Sequence, residues 1–187
     1  MNKQHFHAAL AATLKHEGIY SADQLDPGGQ TYFGISRVYW PTWPGWLVID
    51  EWLRADRSMP VNLTEAVENF YYVNFWCRVQ GDLVAALSPA IAMELFDTAV
   101  NMGAGVAIRF LQTALNVQND PARYPDLIAD GQPGQKTLAA LARIVGRFNG
   151  NRDNNETILL NCLNGEQYIA YKNNPHHRYF RGWFARV

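Results

Sequence analysis

Residues 17–36 read EGIYSADQLDPGGQTYFGIS, and the period of the chain changes inside them. Upstream, Phe6, Leu10, Thr13, Leu14 and Glu17 recur at three- and four-residue spacing, which predicts an amphipathic helix over residues 4–17. Gly18 is a natural stop for it. Downstream, Asp26-Pro27-Gly28-Gly29 is turn chemistry, and Thr31, Tyr32, Phe33 and Ile35 favour extended backbone. A helix feeding a short β-hairpin is therefore expected near the N-terminus.

The remainder of the chain reads as helices. Residues 39–46, YWPTWPGW, hold three Trp and two Pro, and an ordered loop is expected because proline interrupts a regular helix. Asn62-Leu63-Thr64-Glu65 resembles a capping box that opens a helix through Val67, Phe70, Tyr71 and Asn74. Ser88-Pro89 supplies an N-cap and a first-turn proline for a helix reaching about Met102. Gly103 and Gly105 separate it from a helix over 106–116. A polar loop over 117–133 leads to helices near 136–147 and 155–172. The expected class is all-α, helical with a small β-hairpin near the N-terminus. Ser88-Pro89-Ala90 is the natural place for a boundary between residues 1–90 and residues 91–187.

Composition narrows the function classes. The chain has 187 residues, is 48% hydrophobic and 18% charged, and carries a net charge of -1. That charge gives no global reason to expect nucleic acid. After Glu166 only cations follow, Lys172, Arg178, Arg181 and Arg186, which reads as a basic last helix or as a contact for an anionic polymer. Cys77 and Cys162 lack metal or redox spacing and read as small buried apolar residues. No HExxH or Cys/His spacing occurs among His5, His7, His16, His176 and His177, so neither metal nor cofactor is expected. No stretch suits a membrane span, and the first residues make a weak signal peptide. Synthesis in the cytoplasm is expected, and any route outward must be supplied by something else.

Two carboxyl groups carry the chemistry. Glu17 ends an apolar stripe, where lost solvation favours the protonated form of its side chain. A general acid working at neutral pH needs such a proton. Asp26 follows nine residues later in the Pro-Gly-Gly turn, and Thr31 comes shortly after. A hairpin folded back on the helix end would face both carboxyls into one cleft, the arrangement glycosidic cleavage requires. A solvated glutamate and a turn-forming aspartate are the plain alternatives. Tyr20 and Tyr32 flank the acid and are candidates to line the cleft. Asp97 and Asn101 lie one helical turn apart and could bind hydroxyl or acetamido groups, or tie the two lobes together by hydrogen bonding. Trp40, Trp43 and Trp46 could stack on sugar rings or anchor their own loop.

EGIYSADQLDPGGQTYFGIS resembles the signature of glycoside hydrolase family 108, small bacterial and phage N-acetylmuramidases. That signature runs Glu-Gly-Gly-Tyr, an Asp-Pro-Gly-Gly turn, Thr, then Gly-Ile. By this resemblance Glu17 matches the catalytic glutamate. Gly18, Tyr20, Asp26, Gly28, Gly29, Thr31, Gly34 and Ile35 match the surrounding pattern, and Ile19 departs from it. The order Glu, eight residues, Asp, four residues, Thr is also similar to the Glu-Asp-Thr of phage-type lysozymes, which implies that Asp26 and Thr31 position or activate water. ELFDTAVNMGAGVAIRFLQTALN, DGQPGQKTLAAL and YFRGWFARV resemble the peptidoglycan-binding-like half that accompanies such regions. The resemblance implies a lysozyme-like fold, with a catalytic region over 1–90 and a wall-binding region over 91–187. The implied reaction is hydrolysis of the β-1,4 bond between N-acetylmuramic acid and N-acetylglucosamine, with peptidoglycan glycan strands as partner. A holin or an export machinery would release the enzyme, as for an endolysin. A lytic transglycosylase and an inactive peptidoglycan-binding protein are the alternatives.

Overall fold

A computed structural model describes residues 3–14, 20–21, 29–55, 62–120, 125–146 and 152–174, with side chains described from residue 155 onward in the last segment. Glu17, Asp26 and the C-terminal segment after Asn174 lie outside the described residues. Among those described, the protein is mostly α-helical with one small antiparallel sheet, as the helical and extended periodicities predict. The contacts divide the chain into two compact units, residues 10–73, and residues 1–9 with 74–187.

The first helix, α1 (Gln4–Leu14), opens in one unit and closes in the other. Of its expected stripe Phe6, Leu10 and Thr13 are buried, with Ala9 beside them, and Leu14 is half-buried, while Glu17 lies outside the described residues. In the 10–73 unit, three two-residue strands follow: β1 (Tyr20–Ser21), β2 (Thr31–Tyr32) and β3 (Ile35–Ser36). They form one antiparallel sheet in the order β1-β2-β3. Tyr20 faces Tyr32 and Ser21 faces Thr31, while Thr31 also faces Ser36 and Tyr32 faces Ile35. The β2–β3 connection is only Phe33-Gly34, with φ of 45° and 75°. Positive φ at both central residues is the geometry of a type I′ hairpin turn, whose twist matches that of the strands.

Helix α2 (Gly45–Arg54) follows Pro44, whose φ of −59° is already helical. The expected loop over 39–46 therefore ends two residues early, and Trp46 lies in the helix. No helix is expected there from the sequence, because its buried positions, Trp46 and Ile49, are too few to set a period. Asn62 Oδ1 then accepts from the Thr64 backbone N–H at 3.1 Å and opens α3 (Thr64–Tyr71). The core of this unit is aromatic. Tyr32 stacks on Trp43, Trp43 stands edge-on to Trp46, and Phe70 meets Trp40, Trp43 and Tyr71.

A π-turn (Tyr72–Trp76) and a 3₁₀ turn (Cys77–Val79) lead onward. The second unit is a bundle of α4 (Gly81–Leu87), α5 (Pro89–Met102), α6 (Ala104–Val117), α7 (Gln135–Val145) and α8 (Arg152–Asn173). Ser88 caps α5 as its sequence predicts, its Oγ accepting from the Ile91 N–H at 3.0 Å. Helix α5 packs against α4, α6 and α8, and α7 against α4, α6 and α8. The α8 positions that enter the core, Leu159, Leu163, Gln167 and Tyr171, are four residues apart, one stripe of a helix. Phe6 is sealed edge-on against Trp76 and Phe96. Two expectations need correction. Cys77, expected inside, is exposed, because the neighbouring Trp76 fills the core position; Cys162 is half-buried, and both thiols are free. No described helix is long and apolar enough to cross a membrane.

Candidate active site

Thr31 sits in the central strand of the sheet, and its register decides what shares its face. Residues directly opposite in an antiparallel pair point to the same side. Ser21, Thr31 and Ser36 therefore make a row of three hydroxyls on one face, and Tyr20, Tyr32 and Ile35 occupy the other. The two faces differ in chemistry. Tyr32 and Ile35 are buried, at 4% and 1% exposure, and burial pushes the Tyr32 phenol up from its ordinary pKa against a hydrogen bond from the Leu63 backbone. Tyr32, expected to line a cleft, is thus a core residue. Thr31 and Ser21 are half-buried, and the Thr31 hydroxyl, a donor and an acceptor at once, suits the orientation of water.

The connection that carries Asp26 leaves the sheet after Ser21 and returns before Thr31, so its two ends are pinned at the Ser21–Thr31 pair. A polar chain fixes the returning end. Gln30 Nε2 donates to Tyr20 Oη at 3.3 Å, and Gln30 Oε1 accepts from Arg37 Nη1 at 2.9 Å. Arg37 in turn grips Asp50 of α2 with both nitrogens, Nη1 to Oδ1 at 2.6 Å and Nη2 to Oδ2 at 2.8 Å. The Arg37 backbone N–H also donates to Gln30 O at 2.8 Å. The guanidinium lies over the Trp46 ring, 5.3 Å from its centre. Hydrogen bonding to Arg37 holds the Asp50 carboxyl below its ordinary range, and the same bond raises Arg37. Tyr20 stands edge-on to Trp52 at 5.7 Å. One hydrogen-bonded path thus runs from α2 to β1 through the residue preceding Thr31.

Trp43 and Trp46 are 7% and 2% exposed, so both serve as the anchoring core of their segment. Trp40 is 37% exposed; its backbone carbonyl accepts from Trp46 Nε1 at 2.8 Å.

Asp97 and Asn101 belong to the other unit, on α5, both half-buried. Asn101 Nδ2 donates to Asp97 Oδ2 at 3.0 Å and to the Asp97 carbonyl at 2.8 Å. The pair is linked within one helix, as the one-turn spacing allows. One turn earlier, Glu94 is raised to about 7, first by burial and then by the charge of Asp97. Gln167 of α8 donates to Glu94 Oε1 and to Thr98 Oγ1. Sequence reasoning passed over Glu94 because its partner lies 73 residues away. Arg37 and Asp50 escaped it for a similar reason, since Asp50 sits on the unforeseen α2. Among the described residues no cluster of His, Cys, Asp or Glu could hold a metal ion.

Comparison with known proteins places these elements. The solved "Structure of Brucella abortus SagA" is 26% identical, with a TM-score of 0.67, over 98% of this chain and 90% of that one. No curated protein matches the chain. The family described as "Predicted Peptidoglycan domain" matches residues 106–187, which contain α7 and α8. The glycosyl hydrolase 108 model matches residues 10–103, from the middle of α1 through the sheet, the arginine clamp and α5. A stretch in which a helix runs into a three-stranded sheet, matched over half the chain, shows that the protein belongs to glycosyl hydrolase family 108 and carries a peptidoglycan domain behind it.

Proposed function

We propose that this glycoside hydrolase is a lysozyme-type muramidase that cleaves the β-1,4 bond between N-acetylmuramic acid and N-acetylglucosamine. Glu17 protonates the departing glycosidic oxygen, and Asp26 and Thr31 orient or activate the water that replaces it. The observation that carries this reading is the pinning of the Asp26 connection at the Ser21–Thr31 pair. It supports a connection of fixed ends that carries Asp26 between Ser21 and Thr31, with Ser21 four residues of chain after the glutamate. Tyr20, tied to that framework through Gln30, is assigned to the sugar. Tyr32 supports it from within the core, and the linked Asp97–Asn101 pair offers an amide and a carboxylate to hydroxyl or acetamido groups. Residues 1–90 are assigned to catalysis and 91–187 to holding the wall; the peptidoglycan domain matched over 106–187 supports the second assignment, and the hydrolase match runs on to residue 103.

Glu17→Gln tests the assignment. Release of reducing ends from purified cell walls should fall by at least a thousandfold, with the melting temperature unchanged. A folded variant that keeps wild-type turnover rules the glutamate out as the acid.

A further inference from the structure

The peptidoglycan domain contains a cleft of about 550 Å³ that the hydrolytic reading leaves unused, lined among others by Gln112, Asp126, Asp130, Gln132, Lys136 and Arg143. That volume is within the range that holds a small ligand. Lys136 and Arg143 are seven residues apart on α7 and exposed, so they share one helix face about 10 Å apart along the axis. The loop over 125–132 brings Asp126 and Asp130 to the same cleft, also exposed; Asp126 Oδ1 accepts from Asn119 Nδ2 and Asp130 Oδ1 from the Gln132 N–H, and the second carboxylate oxygen of each is left to a ligand. The lining thus carries charges of both signs.

The loop is built to keep that shape. Gln112, 2% exposed, donates to Asp130 Oδ1 at 2.9 Å and accepts from the Gly131 N–H at 2.9 Å. Asn116 of α6 pairs with Leu127 as a strand would, donating to its carbonyl at 2.8 Å and accepting from its N–H at 2.7 Å. Gln80 Nε2 holds the Pro133 carbonyl at 2.7 Å. Gly131 has φ of 75°, and a Cβ there would lie 2.6 Å from the Gly105 carbonyl oxygen. The DGQPG turn therefore seats against the start of α6. A rim fixed at this many points loses little freedom when a ligand arrives.

We infer that this cleft binds the peptide stem of peptidoglycan, with stem carboxylates on Lys136 and Arg143 and the side-chain amine of its diamino acid on Asp126 and Asp130. The inference rests on the reading of the wall as substrate. Charges of both signs in one cleft match a zwitterionic peptide better than a neutral N-acetylglucosamine chain, which offers them only hydroxyl and acetamido groups. Seating the stem would leave the glycan free for the catalytic region.

The full chain would be titrated with the tetrapeptide L-Ala–γ-D-Glu–meso-diaminopimelate–D-Ala and, separately, with chitotetraose, by calorimetry and by amide chemical shifts. The tetrapeptide should bind saturably and move amides within 125–143. Lys136→Glu combined with Arg143→Glu should weaken it at least tenfold at unchanged melting temperature, and Asp126→Asn should weaken it several-fold. Failure of the tetrapeptide to bind, equal binding by the double variant, or the same shifts with chitotetraose would overturn the inference. Wall hydrolysis measured in parallel separates the two readings. Hydrolysis without tetrapeptide binding sinks only the cleft, whereas binding by a chain that releases no reducing ends sinks only the proposed reaction.

Discussion

Arg37 and Asp50, thirteen residues apart, form a two-pronged ion pair at 2.6 and 2.8 Å that joins α2 to the strand-bearing segment. Both side chains are about one-third exposed, so solvent screening leaves the charge attraction itself worth little. Its consequence is geometric. Arg37 shares Nη1 between Asp50 and Gln30, and Gln30 immediately precedes Thr31.

Arg37→Ala should therefore reduce turnover of cell walls roughly tenfold while lowering stability by only about 1 kcal/mol. Asp50→Asn should do nearly the same, and the double variant should be no worse than either single one, because both act through one contact. Arg37→Lys should recover only part of the rate, since an ammonium cannot form the parallel pair of bonds. Additive losses in the double variant would show that the two residues act separately.

The hairpin turn makes a second case. Phe33 and Gly34 both carry positive φ, and Tyr71 Oη donates to the Phe33 carbonyl at 2.7 Å. Gly34→Ala places a Cβ on left-handed backbone and should cost about 1–2 kcal/mol. Tyr71→Phe removes the hydrogen bond and should cost about 1 kcal/mol. Denaturant melts of the two variants check both figures. A Gly34→Ala protein as stable as the parent would mean that the turn relaxes to another type.

How much of this was readable beforehand depended on the range of the interactions. Helix α5 announced itself through Ser88-Pro89, because a cap and a first-turn proline act within four residues. The β2–β3 hairpin was legible only in part: Phe33 reads as β-prone beside Thr31, Tyr32 and Ile35, yet with Gly34 it forms the turn, at φ of 45° and 75°. By contrast α2 went unread, since the burial of Trp46 and Ile49 depends on partners such as Trp43 and Trp40 that no periodicity reveals. Cys77 misled for the same reason: composition favours a buried thiol, and only the packing of Trp76 decides otherwise. Of the proposed site, the glutamate, the Asp-Pro-Gly-Gly turn and Thr31 are legible as a motif. The Arg37–Asp50 clamp and the Gln112 staple were not, because each joins residues whose pairing exists only in the folded chain.

Two glycines predict opposite signs for the same substitution. A Cβ on Gly81 would fall 2.3 Å from the indole of Trp76, a side chain 1% exposed and tied through Nε1 to Asp82 at 2.9 Å. Such a ring cannot yield, so Gly81→Ala should destabilise by about 1–3 kcal/mol. Gly165, inside α8, has nothing within 4 Å of its added Cβ. Gly165→Ala should stabilise by roughly 0.5–1 kcal/mol through restricted unfolded-chain freedom and helix preference. Thermal melts of the pair should move in opposite directions from the parent, and movement in the same direction would contradict the packing around Trp76.

Glu94 predicts how stability follows pH. Its carboxyl is raised from 4.5 to about 7, by burial first and by Asp97 second, with hydrogen bonds from Gln167 and Thr98 opposing the shift. A carboxyl whose folded pKa exceeds its unfolded one binds its proton more tightly in the native state. Stability from this group is therefore complete below about 4.5 and is lost as pH rises toward and through 7. Melting temperature should fall between pH 5 and pH 8, with α5 and α8 loosening first because Gln167 joins them. Glu94→Gln keeps an acceptor for Gln167 and removes the titration, so its melting temperature should vary much less over that interval. A variant whose pH dependence matched the parent's would assign the effect to another group.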